Sequence, residues 1–565
     1  MTTKYGKIFF SIAGVVLVAF FSSRAWGESI LGEEWEKFFK EKVSFGGFVE
    51  NTSGVSVGAG SHFFNTSNRF VMNRFTIQPE FNVDMADWAK FFISWRFVAE
   101  PRYSMETKSR EASVTYFPQQ PVRPLIVTYY SEYSPVPWEA VLDVSPTDRL
   151  KLRFGRQFIS WGETDGIRLL DVINPQNLRF SPPAAPNLFN LDESRIPSWG
   201  LRALYTVRPV SNTILEFFAL PGSMDFPEER VDTFMGTNDT GDRKVRFGRW
   251  SAHPETRLMI NGRNAFGNLY ANPLNPGACA GLGCLVIPST TRQLPGAGES
   301  WKVGARVTHS IGKLNFGLGY IWGFNPQATD MVFKVTSVGC SAPAVGACLA
   351  GQAPSVVNMK LVNDRTNIFA GHLNYTVDQV ASIPINTAIR SEIALYPSEP
   401  YNISQYPGLF GLKASANPKY PDGIVEKNTL RYMLGFDRST LIPFLQDDPW
   451  RPFRMSFQIF QRIIFNHEDG IHPFGSAQKI QTVTTNFTFR VSTGYLGDTI
   501  LPDVFVSYDP SAYWSANPAV TYAPPWNEKI SLSLIGAFYG GHNKFANLGL
   551  FSEKDSIFLK MRYQF

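Results

Sequence analysis

The sequence predicts an all-β fold, a transmembrane antiparallel β-barrel of about 18 strands, with about 16 as the alternative, joined by short periplasmic turns and long external loops. Three observations carry that prediction. The chain opens with a secretory leader, no later apolar run is long enough for a helical span, and apolar residues recur at alternate positions up to a terminal phenylalanine.

The leader has the three parts that export requires. Lys4 and Lys7 supply the positive end, and Ile8 to Phe21 form an apolar stretch interrupted only by Ser11 and Gly14. Ala25-Trp26-Gly27 then places small residues at the two positions a signal peptidase reads. Cleavage after Gly27 removes residues 1–27 with Lys4, Lys7 and Arg24, leaving 538 of 565 residues and lowering the formal net charge from +5 to +2. A nearly neutral mature chain argues against nucleic acid as a partner. Beyond the leader no stretch approaches the run of roughly 18 apolar residues that a helical span needs. Residues 28–42 set Leu31, Trp35, Phe38 and Phe39 at helical spacing, which predicts a short amphipathic periplasmic helix. Residues 43–565 are then the barrel.

A barrel strand presents alternate side chains to lipid and to the lumen. At the C-terminus Ile557, Leu559, Met561, Tyr563 and Phe565 fall on one face, against Lys560, Arg562 and Gln564. The same alternation sets Phe75, Ile77 and Phe81 against Arg74, Gln78 and Glu80, and Phe91, Ile93 and Trp95 against Lys90, Ser94 and Arg96. It returns around Trp199–Thr206, Trp301–Thr308 and Val483–Ser492. Charges in mid-strand make sense if their face lines water, so Arg74, Arg96, Arg153, Arg202, Lys302, Arg306, Arg490, Lys560 and Arg562 are expected in the lumen. Glu80 and Glu100 are the clearest acidic counterparts, which predicts a basic lumen and a preference for anionic solutes.

Short and long connections alternate, and the short ones set the periplasmic side. The third long connection, residues 162–197, follows a strand over Leu150–Trp161. By analogy with trimeric porins it folds into the lumen as a constriction. Its charges Glu163, Asp165, Arg168, Asp171, Arg179, Asp192, Glu193 and Arg195 are the constriction candidates, with Lys151, Arg153, Gln157 and Trp161 pointing inward from the strand. Arg156 falls on the opposite parity with Leu152 and Phe154. A cation facing mid-membrane lipid costs about 2–4 kcal/mol, so either a bulge at Gly155 turns it inward or it snorkels to a headgroup.

The four cysteines lie in two external loops, and loop-closure entropy favours the local disulfides Cys279–Cys284 and Cys340–Cys348. His467, Glu468, Asp469 and His472 are the one cluster with ligand-type chemistry, and a run of this kind reads as a solvated loop. No metal, cofactor or hydrolase motif is expected.

Gly155-Arg156-Gln157, Trp161-Gly162-Glu163 and Asn174-Pro175, all within residues 149–175, resemble a proteobacterial outer-membrane family of unknown function, the domain numbered thirteen-oh-two. The resemblance implies a large exported, porin-like barrel in the bacterial outer membrane, suspected of handling hydrophobic or lipid-like compounds, and it supplies no activity. The terminal Tyr563 and Phe565 resemble the signal read by the barrel-assembly machinery. The expected partners are therefore outer-membrane lipid, that machinery and a solute in the lumen, with monomer and homo-oligomer both open. The expected function is a channel or facilitator for small solutes, anionic or amphiphilic acids among them. The alternative is a non-conducting barrel with a surface-binding or structural role.

Overall fold

The structure is a computed structural model that describes residues 41–57, 70–99, 127–128, 137–174, 195, 197–207, 212–221, 259–260, 263–264, 269–270, 284–291, 301–324, 332–340, 355–361, 365–380, 383–403, 419–446, 448, 450–472, 479–510, 513–541 and 555–565. Its wall is a single antiparallel sheet of 18 strands. In chain order they are β1 (Val43–Ser56), β2 (Phe70–Ala86), β3 (Ala89–Ser94), β4 (Glu139–Thr147), β5 (Leu150–Gln157), β6 (Ser198–Thr206), β7 (Thr213–Pro221), β8 (Trp301–Ile311) and β9 (Leu314–Phe324). The second half is β10 (Arg365–Val380), β11 (Ile383–Ile403), β12 (Ile424–Thr440), β13 (Phe453–Ile464), β14 (Val483–Ser492), β15 (Ile500–Asp509), β16 (Tyr513–Tyr522), β17 (Ile530–Gly541) and β18 (Ser556–Gln564). Each strand pairs with its chain neighbour. β18 returns to β1 from Phe48↔Gln564 to Ser56↔Ser556, so the wall closes without a free edge.

Closure is reinforced at the terminal residue. Phe565 donates its amide to the Gly47 carbonyl at 3.1 Å and packs its ring 5.3 Å from that of Phe45. Alternation follows the pleat. On β1 and β2, Glu50, Thr52, Arg74 and Thr76 are buried in the interior, whereas Val49, Phe75 and Ile77 are exposed outside. Leu318, Phe369, Ile393 and Leu534 continue that outer apolar belt. A closed wall with an apolar exterior and a polar interior is matched to hydrocarbon outside and water inside.

The even strand count holds because 499–526 supplies two strands, β15 and β16, and the alternative of 16 strands is set aside. One turn-side connection missing from the sequence reading is 441–452, tied by Gln446 to Thr493 at 2.9 Å and by Arg451 to Asp498 at 2.9 Å. Beyond the wall, Met259–Ile260, Arg263–Asn264, Leu269–Tyr270, Cys284–Thr291, Phe333–Cys340 and Ser355–Leu361 form a second, six-stranded sheet from two external loops. There Cys284 and Cys340 lie on the two strands flanking Ser355–Leu361. Cys279 and Cys348, needed for the local pairs, lie outside the described residues, as do the leader and all of the expected 28–42 helix except Glu41 and Lys42.

At the external rim, β11, β12 and β13 end in a small apolar core of Tyr401, Ile403, Val425, Ile464 and Ile471. The His467–His472 run belongs to this knot, and its groups have separate partners. Glu468 meets Lys427 at 2.7 Å and Tyr420 at 2.5 Å, Asp469 meets Lys479 at 2.7 Å, and the His467 ring lies 2.8 Å from the Ile480 carbonyl. Hydrogen bonds from Lys427 and Tyr420 hold the Glu468 carboxyl down at about 2. A carboxyl whose folded pKa is depressed stabilises above its unfolded pKa and loses that contribution as pH falls through the folded one. The Glu468 contribution to protection of the Ile471 and Ile480 amides against hydrogen exchange is therefore expected to be full at neutral pH, to decline progressively from the ordinary carboxylate range down to about pH 2, and to be reduced at neutral pH in Lys427→Ala. Protection that stays unchanged across that window would show that the knot does not depend on Glu468.

Candidate functional site: a loop packed across the lumen

β5 ends at Gln157 rather than Trp161, and the chain turns inward at once. Ile159, Trp161, Leu169, Leu170, Val172 and Ile173 of the third external loop join one apolar cluster with residues from the opposite wall. The wall side consists of Phe218 and Leu220 (β7), Ile321 (β9), Ile368 and Ala370 (β10), Ala394 and Tyr396 (β11), Met433 (β12) and Phe460 (β13). Each fully buried aliphatic or aromatic side chain contributes about 1.5–3 kcal/mol. The loop is thus held in the lumen chiefly by burial.

Polar contacts fix its register on the wall. At the root, the Asn174 carboxamide accepts from the Ile159 amide at 2.8 Å and donates to the Gln157 carbonyl at 3.1 Å. At the far side, the buried Glu392 carboxylate of β11 accepts from the backbone amides of Glu163 and Leu170, the latter at 3.2 Å. Arg390, two residues earlier on the same face, donates to Asp165 at 2.8 Å and is also bound to the Glu163 carbonyl and to Asp437. Asp165 further accepts from Gln458 at 2.9 Å and Ser456 at 3.1 Å. On β8, Lys302 reaches the Ile173 carbonyl at 2.9 Å, and Arg306 stacks 5.0 Å over Trp161 while bonded to Glu216 at 2.6 Å. The loop lies across the inner faces of β7 to β13.

Residues 61–565 match the family described as proteins of unknown function, DUF1302. The chain belongs to that family. Among curated proteins none matches. Among solved structures, OccAB3 of Acinetobacter baumannii is similar at 8% identity, over 93% of this chain and 99% of that one, with a TM-score of 0.42. OpdK of Pseudomonas aeruginosa, solved with vanillate, is similar at 7% identity over 94% and 99%, with a TM-score of 0.40. OmpF of Salmonella typhi, in complex with daunomycin, is similar at 8% identity over 93% and 97%, with a TM-score of 0.34.

The resembling segment of this DUF1302 chain maps onto the loop's root and inner face. Gln157 and Asn174 close the root, and Trp161 packs on the wall. The expected constriction charges divide. Glu163 and Asp165 bind the wall through Asn374 and Arg390. Arg168, Asp171 and Arg195 form a withdrawn cluster inside the loop, with Arg195 to Asp171 at 3.0 Å and Arg168 to the Asp171 carbonyl at 2.5 Å. Packing the loop against an apolar wall turned these charges inward on one another, so Arg168 and Asp171 do not line an opening. Arg179, Asp192 and Glu193 lie outside the described residues.

The bulge expected at Gly155 is not formed. Its φ is +118°, but pairing runs unbroken through Val141↔Gly155 and Gly155↔Gly200. Arg156 is instead fully buried at the end of β5, donating to the Trp138 carbonyl at 3.0 Å, so it does not snorkel either. The basic interior also needs correction. Arg202 and Arg306 share Glu216, Arg153 meets Asp143 at 2.7 Å, Arg490 meets Asp503 at 2.6 Å, and Lys560 meets Glu50 at 3.1 Å. Glu50, Asp143, Glu216, Glu392, Asp437 and Asp503 were missed. For Glu50, Asp143 and Glu216 the signal was available, since each sits directly across from an arginine on the next strand, as Asp143↔Arg153 does. Glu100 lies outside the described residues; Glu80 accepts from Gln78 at 2.6 Å, and Arg96 binds the same glutamine at 2.6 Å.

One glycine makes room for the loop. A Cβ on Gly319 of β9 would stand 2.9 Å from the Trp161 ring and 3.3 Å from the Ala305 carbonyl. Gly319→Leu is therefore expected to lift Trp161 from the wall and increase conductance, with the barrel still resistant to detergent unfolding. Unchanged conductance and an unchanged Trp161 environment by fluorescence would count against the packing described.

Proposed function

We propose that this DUF1302 protein is a passive outer-membrane channel or facilitator for small solutes, with a preference for anionic or amphiphilic acids. The supporting observation is the one-sided seat of the loop. Its described part covers the arc from β7 to β13, while lumen charges of the opposite arc keep solvent access. Arg153, Arg490 and Arg562 retain 39%, 47% and 37% of their side-chain exposure. Arg153 and Arg490 are each matched by an aspartate. Lys560 and Arg562 both meet Glu50, at 3.1 and 3.8 Å. Charge rings of this kind set ion preference in a pore. The proposed constriction is accordingly the Glu163–Asp165 edge of the loop on the side of Arg490, and the proposed assembly signal is Tyr563 of the closing strand with the following Phe565.

The second reading, a sealed barrel with a binding role, draws on the apolar seal of the loop and on the external six-stranded sheet. Planar-bilayer recordings under a salt gradient separate the two. Stable steps with an anion-leaning reversal potential, shifted toward cations in Arg562→Glu, are expected for the channel. Folded protein that never conducts would overturn it and favour the sealed barrel.

A further inference from the structure

The outer apolar belt is interrupted on β1 and β2. Asn51 and Ser53 share the outward parity of the exposed Val49 and Val55, and Asn73 shares that of the exposed Phe75 and Ile77. In the ladders Asn51 stands opposite Phe75 and Met561, and Ser53 stands opposite Asn73 and Leu559. Phe45, Phe81 and Phe565 mark the periplasmic end of this stretch of wall, the Phe45 ring lying 4.8 Å from Phe81 and 5.3 Å from Phe565. From Phe45 to Asn51 the strand rises roughly 14 Å at a tilt of about 45°, within an apolar band about 25 Å tall. Val55 and Ile557, paired with each other, are exposed beyond. The three polar side chains therefore face outward near mid-band, flanked by Val49, Val55, Phe75, Leu559 and Met561.

They bond first to one another. The Asn51 carboxamide donates to Asn73 Oδ1 at 2.9 Å and to the Arg74 carbonyl at 3.4 Å. The Ser53 hydroxyl lies 3.0 Å from Asn51 Oδ1 and 3.4 Å from Asn73 Oδ1, so one proton serves two acceptors. Carboxamide and hydroxyl oxygens each accept more than one hydrogen bond, which leaves the cluster with acceptor capacity beyond these contacts. Hydrocarbon supplies no donor, and water does not reach that depth. Polar groups turned toward lipid are costly there, and a protein partner that bonds to them removes the cost.

We propose that the β18–β1–β2 face is a contact between two copies of this chain, in which Asn51, Ser53 and Asn73 of each copy bond to those of the other about a two-fold axis along the membrane normal. Two barrels inserted in the same sense carry every residue at the same depth, so such an axis brings the patch to itself. A different partner would need polar groups at that one depth, which a second copy has by construction. Carboxamides are also self-complementary, each carrying donors and an acceptor, whereas a lipid tail carries neither. The apolar rim of Val49, Phe75, Leu559 and Met561 excludes lipid around the bonds. This contact lies outside the wall and holds whether or not the lumen conducts.

The test uses the full-length barrel in phosphatidylcholine vesicles at a high lipid-to-protein ratio. Illumination of Phe75→p-benzoylphenylalanine is expected to give a covalent dimer joined to a peptide of β1, β2 or β18. The same photoreactive group replacing Phe369, exposed on the outer face of β10 half-way round the wall, is expected to give none. Equal dimer from both positions, a dimer joined through other strands, or lipid adducts alone overturns the contact. Counting subunits by stepwise photobleaching in the same vesicles is expected to show two copies; one or three overturns it. The double variant Asn51→Leu, Asn73→Leu keeps the outer face apolar and is expected to weaken association at least tenfold. Ser53→Ala, a milder change, is expected to weaken it by a smaller factor, with folding of each variant checked by its heat-modifiable migration in gels. Undiminished association in both folded variants overturns the proposal.

Discussion

Replacing Glu392 with alanine is expected to raise single-channel conductance severalfold and to expose residues 162–171 to protease, with the barrel otherwise intact. The carboxylate receives the amides of Glu163 and Leu170, so a single wall residue ties down both ends of the inner loop segment. Hydrogen bonds to a charged group are worth about 1.5–3 kcal/mol each, and a buried amide left without an acceptor costs a comparable amount. Water must then enter beside Leu169 and Leu170, which weakens the apolar contact as well. The wall itself should be indifferent, because β11 is laddered to β10 and β12 along most of its length. Glu392→Gln keeps the shape and one acceptor oxygen, so it should fall between wild type and alanine. Equal conductance and equal protease resistance in all three proteins would mean that the apolar cluster holds the loop unaided.

How far the sequence disclosed this arrangement depended on the range of each interaction. The closing strand was legible because Ile557, Leu559, Met561 and Tyr563 alternate with Lys560 and Arg562, a period-2 signal confined to nine residues. The inward loop was anticipated only by its place as the third external connection, and of its described charges Arg168, Asp171 and Arg195 turn on one another while Glu163 and Asp165 bind the wall. Arg168 and Asp171 read as pore-lining because charge alone suggests water, yet they satisfy each other inside the loop. Glu392 and Gln458 left no local trace, since their partners lie more than two hundred residues away in sequence. The 441–452 turn was overlooked for a different reason. It is long for a periplasmic turn and carries exposed Phe444 and Trp450, so neither length nor polarity marked it.

The root of the loop should prove even less tolerant than its tip. Asn174→Ala is expected to release the whole 158–173 stretch, with greater protease sensitivity and a larger conductance gain than Glu392→Ala. Asn174 is fully buried, and its carboxamide binds the Ile159 amide on one side and the Gln157 carbonyl on the other, with Ser198 at 3.4 Å. Alanine removes a donor and an acceptor together, leaving buried backbone groups on both strands of the root without partners, at roughly 1–3 kcal/mol apiece. Aspartate, close in shape, keeps the acceptor for Ile159 but sets a carboxylate against the Gln157 carbonyl, so it should rescue little. The loss is larger than at Glu392 because every residue between 159 and 173 depends on the chain entering at that angle, whereas Arg390 and Gln458 still hold Asp165 when Glu392 is gone. In the double variant Asn174→Ala, Glu392→Ala, the second change should add almost nothing, since a loop freed at its root no longer presents Glu163 and Leu170 to the wall. Additive effects on conductance and proteolysis would instead mean that root and tip are held independently, and that the loop is two anchored segments rather than one.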